Sequence, residues 1–180
     1  MARRAARLDA VPTRDRTPLT LDALSEMNAE ELTALYRAGS VPSSLAVLDG
    51  MPRCRALAFS DSLGVGAIAP LWKEATKASW FPWAGKSFQH SRAEAGWGVN
   101  RVRLGVQLNL FGFTTSFDRS AIDGEPCILL DYDHAENPFV IRKIRDELRE
   151  VSTGLFLGPA MAILPRRHEL VLYFAIDQSK

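Results

Sequence analysis

The sequence predicts a mainly β (α+β) domain: a bent antiparallel sheet or closed small β-barrel of about 7–8 strands, with an N-terminal helix and a second helix at about 138–150. Three observations carry this expectation. Phe113–Tyr132 (FTTSFDRSAIDGEPCILLDY) reads as a hairpin, because Asp123-Gly124 suits the φ > 0 that a two-residue type I′ turn demands. A turn of that length sets Phe117 opposite Leu130 and Thr115 opposite Tyr132, and puts Phe113, Thr115, Phe117, Ile128, Leu130 and Tyr132 on one mostly apolar face. Just before it, Val102, Leu104, Val106, Leu108 and Leu110 alternate with polar residues or glycine, the period of an extended strand with one buried side. The apolar phase is even in that run and odd in the hairpin. It flips across Phe111-Gly112, which requires a bulge, a tight turn or a bend; Gly112 is the residue expected to permit it, and bends of this kind let small barrels close.

In chain order, residues 1–19 hold Arg3, Arg4, Arg7, Arg14 and Arg16 with few large apolar groups and read as a loosely docked or disordered arm; residues 20–180 read as a single barrel-like domain. A short turn is expected at Leu21–Leu24. Asn28 as N-cap with Glu31 three residues on forms a capping-box pair, Leu32, Leu35 and Tyr36 supply an apolar stripe, and Gly39 stops the helix. Val41–Gly50 is a loop and Arg53–Phe59 a first strand. Gly64–Ala69 lacks the Lys-Ser/Thr of a phosphate loop, and Pro70 opens a short helix to Ser79. Trp72, Trp80, Phe81 and Trp83 form an aromatic excess that reads as a packed junction or the rim of a ligand cavity.

Trp83–His90 is a strand in which Gly85 permits close approach, and Ser91–Gly98 a polar loop. Asn137-Pro138 starts a helix to Glu150, whose stripe is Val140, Ile141, Ile144 and Leu148. Its charges, Arg145 to Glu150, read most simply as a solvated face; the sharper reading places Asp146 or Arg149 at a barrel mouth. Leu155–Leu164 is mainly apolar, Pro165–His168 a turn, and Glu169–Ile176 the last strand.

The chain of 180 residues is 47% hydrophobic with net charge +1, enough apolar content for one core and no global field to hold a polyanion. The arginine arm carries Asp9 and Asp15 and no interleaved aromatic residue, so no nucleic-acid partner is expected. No apolar run reaches the length of a membrane span. Cys54 and Cys127 have no metal spacing and read as reduced thiols, which places the chain in the cytoplasm; the 17 Arg against 5 Lys suggest a GC-rich bacterial genome.

Chemistry is sought first at Asp131, Asp133, His134 and Glu136, which are too local for a metal site; no metal and no cofactor are expected. The more informative polar residues lie on apolar strands. Asn100 shares the phase of Val102–Leu110, and Thr115 and Tyr132 share the apolar hairpin face. Either they satisfy one another, or they are the few polar groups that orient a ligand in an apolar pocket. The ligand-binding set is therefore Trp83, Asn100, Phe113, Thr115, Phe117 and Leu130, with Tyr132 and Lys86 as the catalytic candidates.

The N-terminal helix, the Trp83-Ala84-Gly85-Lys86 strand, the successive hairpins and a helix before the last strands resemble the lipocalin-like (calycin) group of small ligand-binding barrels over roughly residues 45–177. The Gly-x-Trp usual in lipocalins is absent; Leu48-Asp49-Gly50-Met51 stands nearest to its place without the Trp. The leading expectation is binding of a hydrophobic small molecule of lipid, polyketide or terpenoid type. The rivals are a cofactor-independent cyclase or isomerase of specialised metabolism using the same cavity, and a protein-interaction module built on the aromatic cluster, with room for a homodimer.

Overall fold

The computed structural model describes residues 19–59 and 83–179. Two short helices, α1 (Leu21–Ser25) and α2 (Ala29–Ala38), and a 3-10 turn at Leu45–Leu48 precede eight strands. These are β1 (Arg53–Phe59), β2 (Trp83–Arg92), β3 (Ala95–Leu104), β4 (Val106–Arg119), β5 (Pro126–Asp131), β6 (Ile144–Ser152), β7 (Leu155–Leu164) and β8 (Arg167–Asp177). They form one antiparallel sheet in the order β1-β8-β7-β6-β5-β4-β3-β2. From β2 to β8 the chain is a meander, and β1 joins on beyond β8.

The sheet curls into a half-barrel whose edges approach at one end. Gly50 exchanges backbone hydrogen bonds with Phe88 on β2, and the Arg101 guanidinium donates to the carbonyl of Pro52. Gly85 permits this approach, since a Cβ there would stand 3.0 Å from the Cβ of Cys54. The inner core holds Leu48, Phe88, Phe113, Leu130, Phe156 and Phe174. A second apolar layer, including Leu24, Leu32, Tyr36, Leu157 and Tyr173, lies between the helices and the outer face. Strands β7 and β8 are therefore apolar on both sides, which is why neither shows clean alternation.

Helix α2 forms as its cap signals require: the Asn28 side chain accepts from the backbone of Glu30 and Glu31, and Glu31 accepts from the Asn28 N–H. Gly39 ends it in extended, not left-handed, backbone; a Cβ at that position would press on the Cβ of Arg149. The first strand also occupies its expected span.

The phase flip is a bulge. Val99 pairs with Gly112 and Asn100 with Leu110, so Phe111 is the extra residue, held at φ 56. The strained residue is thus Phe111, not its neighbour Gly112.

Three expectations are corrected. The run through Leu110 is two strands, not one: the chain reverses at Gly105, φ 76. The polar loop 91–98 is largely strand, with β2 and β3 reversing at Ala93-Glu94. The helix at 138–150 is a 3-10 turn at Ile141–Lys143 followed by β6. Asn137 does not cap it; its amide donates instead to the carbonyls of Gly112 and Tyr132.

The opening hairpin is real but slipped by two residues: Phe117 opposes Ile128 and Thr115 opposes Leu130. An even slip keeps every side chain on its expected face. The slip arises because 120–125 is a wider loop, closed by Ser120 N–H to the Glu125 carbonyl and drawn onto β6 by Arg149, which holds Asp123 through two bonds of 2.7 and 2.8 Å. The charges Arg145, Glu147 and Arg149 are not a solvated face. Glu147 and Arg149 are buried, covered by α2 and this loop, and Tyr36 donates to Glu147 at 2.8 Å.

These pairs set the acid response. The Arg149 hydrogen bond holds the Asp123 carboxyl below its ordinary range. At Asp177, hydrogen bonds from Ser179 and Arg53 outweigh the upward push of burial. A folded-state value below the unfolded one contributes stability above the unfolded value, about 3.9, and loses it as pH falls through the folded value. Denaturant unfolding should therefore show stability falling below pH of about 4, and Asp123→Asn should be less stable at neutral pH with a flatter acid limb. An acid limb unchanged by the substitution would show that this pair contributes nothing to it.

Candidate functional site

The inner face of the curl holds a partly open cavity of ≈ 190 Å³. Among the described residues its wall is mostly apolar, with Val102, Phe111, Ile144, Leu172 and Phe174, and carries one polar patch: Trp83, Lys86, Asn100, Tyr132 and Asp146.

Local irregularities bring these side chains together. Trp83 and Lys86 are three residues apart, so a regular strand would point them to opposite sides. The register of β2 against β3 shifts between Trp83 and Gly85, Gly85 sits at φ 109, and both side chains line the cavity. Asn100 lies opposite the Phe111 bulge and donates to the Phe111 carbonyl at 3.2 Å. Tyr132 follows the end of β5, in a loop braced by Asn137. Asp146 is an inward position of β6.

Lys86, 3% exposed, donates to Asn100 Oδ1 (3.0 Å), the Tyr132 hydroxyl (2.6 Å) and Asp146 Oδ2 (2.8 Å). The Tyr132 hydroxyl also accepts from Asn100 Nδ2 at 3.1 Å and donates to Asp146 Oδ2 at 2.9 Å. Trp83 Nε1 donates to Asn100 Oδ1 at 3.0 Å. The ammonium is ringed by Trp83, Phe113, Tyr132 and Phe174, with centroids 5.0 to 5.8 Å away, whose negative ring faces suit a cation. Burial, and then the charge of Asp146, push the Tyr132 phenol well above its ordinary range, so it stays protonated. Among the described residues two buried side-chain polar atoms have no partner, His134 Nε2 and Asp146 Oδ1.

Of the expected site residues, the structure gathers Trp83, Lys86, Asn100 and Tyr132 on the cavity wall. Phe113, Thr115, Phe117 and Leu130 face the same interior but lie outside the lining set. Thr115 does not bond Tyr132. It contacts His90 Nε2 at 2.8 Å, while His90 Nδ1 contacts Asp49 Oδ1 at 2.6 Å. This carboxylate–imidazole–hydroxyl row has the order of a nucleophilic triad, but Thr115 is 1% exposed and does not line the cavity, so it braces the strands.

Asp146 is the member that a helical reading of 138–150 hides. Its signal is the one that marked Asn100: counted at period two from Ile144 and Leu148, it falls on the apolar row. In the acidic loop, Asp133 pairs with Arg142 at 2.7 Å; among the described residues no group of three or more His, Cys, Asp or Glu converges as a metal site. Cys54 and Cys127 are free, and burial first pushes the Cys127 thiol up to about 12. The expected nucleotide-loop exclusion at Gly64–Ala69, the helix at 70–79 and the aromatic residues Trp72, Trp80 and Phe81 lie outside the described residues, as does most of the N-terminal arm.

No helix among the described residues is long and apolar enough to cross a membrane. No family model and no curated protein matches the chain. A solved structure is similar in fold, that of a protein from Thermomonospora curvata, at 18% sequence identity over 86% of this chain and 89% of that one, with a TM-score of 0.50. What this likeness supports is the fold, a small curled antiparallel β-sheet of barrel type.

Proposed function

We propose that the chain binds a small, mainly apolar molecule inside the half-barrel. One observation carries this reading: an apolar-walled cavity of ≈ 190 Å³ whose polar groups converge on a single patch. The volume narrows the ligand class. It exceeds the roughly 150 Å³ that encloses benzene, and falls short of the roughly 300 Å³ at which drug-sized pockets begin. A single-ring or short branched compound, of terpenoid-fragment size, fits within; a lipid or polyketide chain would enter by one end only. The pairing of β1 with β8 and the meander from β2 onward support the calycin-like comparison. The two free thiols fit a reducing compartment such as the cytoplasm.

Trp83 is the built-in reporter, because its indole both lines the cavity and donates to Asn100. Titration with single-ring apolar compounds should shift tryptophan emission saturably, and Trp83→Phe should abolish the shift. No saturable change, together with no ligand-induced NMR shifts at cavity residues, would remove the reading.

A catalytic use of the same cavity, as a cofactor-independent isomerase or cyclase, is favoured by one observation, the unpartnered oxygen of Asp146. In that reading Asp146 accepts a proton and Lys86 offsets the charge. Tyr132 would position the carboxylate, since its hydroxyl is fully engaged.

A further inference from the structure

Resting on the binding reading above, we propose that the cavity selects a neutral ligand bearing a hydroxyl over one of equal shape bearing only an acceptor, and that Asp146 Oδ1 reads the hydroxyl.

The argument is a count of valences. An ammonium has three N–H groups, and those of Lys86 go to Asn100, Tyr132 and Asp146. The Asn100 amide donates to the Phe111 carbonyl and to Tyr132. The Tyr132 hydroxyl donates to Asp146, and the Trp83 indole to Asn100. Every donor on the polar patch is therefore spent, and a ketone or ether entering the cavity finds none among the described lining residues. The acceptors are not all spent. Asp146 Oδ2 takes two bonds, while Oδ1 of the same buried carboxylate takes none. A ligand O–H supplies the missing partner.

Charge decides between a neutral donor and an ammonium. Lys86 and Asp146 are the charged side chains of the described lining, and they neutralise each other at 2.8 Å. A cationic ligand would bring a second positive charge beside Lys86 without a second carboxylate to meet it. A hydroxyl adds no net charge beside that neutral pair.

Cyclohexanol, cyclohexanone and methylcyclohexane share shape and differ in the group presented. Their affinities for the full chain, read by heteronuclear NMR at the Trp83 indole N–H, test the proposal. Cyclohexanol should bind at least about 10-fold tighter than either of the others, because a site with an unmet acceptor discriminates against ligands that cannot meet it. Equal affinities, or tighter binding of the ketone, would overturn the selection while leaving the cavity a binding site. No binding by any of the three would overturn the binding reading itself.

Asp146→Asn sharpens the test. The amide oxygen keeps Lys86 and Tyr132, and the amide nitrogen replaces Oδ1 as a donor, so preference should pass from the alcohol to the ketone. Loss of affinity for all three without inversion would count against Oδ1 as the reading atom. If that variant does not fold, the comparison on the unaltered chain decides.

Discussion

Replacing Lys86 with Met is expected to cost about 3–5 kcal/mol of folding free energy, the penalty of stranding a buried charge. The stranded group is the Asp146 carboxylate, 5% exposed on its side chain, which would keep one bond from Tyr132 and lose its cation. Against a total stability of about 5–15 kcal/mol for a domain, that is a large fraction. The diagnostic is the double substitution. Removing both partners, Lys86→Met with Asp146→Leu, eliminates the uncompensated charge and should recover most of the loss, since well-packed apolar replacements of buried ion pairs are often neutral or better. Equilibrium urea unfolding of the parent, the single and the double variants checks this. A single variant within about 1 kcal/mol of the parent, or a double variant no better than the single, would mean that the pair is not what holds this wall.

Arg149→Met is the second large loss, about 3 kcal/mol, for a related reason on the outer face of the same strand. Arg149 is 1% exposed, grips Asp123 through both carboxylate oxygens, donates to the carbonyls of Glu125 and Pro126, and stacks on Tyr36 with its guanidinium 4.5 Å from the ring centroid. Without it the Asp123 carboxylate keeps only the Glu125 N–H and the Glu125 carbonyl only the Ser120 N–H, and the loop loses its tie to β6. Arg149→Lys should rescue little, because an ammonium cannot form the two-pronged contact. The local signature is faster amide exchange across 120–126, with the Lys86 cluster still protected. Loss of protection at both places would show that the two networks are one cooperative unit.

Both networks sit on β6, and β6 is the element that the sequence conceals. Its inward row runs Ile144, Asp146, Leu148. With a carboxylate in the middle, the period-two signal breaks, and the remaining Ile144–Leu148 spacing of four imitates a helix. The polar residue that the candidate site needs is thus the residue that hides the strand. The hairpin at Gly105 was hidden differently. Arg103 opposes Gln107 and Val102 opposes Leu108, so equidistant residues share a side and the alternation passes through the reversal unbroken. What was legible was what period and caps encode directly: the α2 capping box, the span of β1, the faces of the β4–β5 hairpin and an irregularity across Phe111-Gly112, expected at Gly112 and found one residue earlier. Trp83, Lys86, Asn100 and Tyr132 could be named because each is an aromatic or polar residue placed on an otherwise apolar strand or junction. Their convergence could not be read, because it depends on the Gly85 irregularity, the loop after β5 and the curl of the sheet.

The Lys86–Asp146 contact has a geometric consequence. Along the sheet, β2 and β6 are separated by four ladders, yet these two side chains meet through the interior. The ladders fix the length of the arc, and the ion pair fixes a chord across it. Arc and chord together determine a radius, so the bore of the half-barrel is set by two side chains as well as by strand twist. Any guest that outgrows the bore must stretch that chord before it disturbs a single ladder.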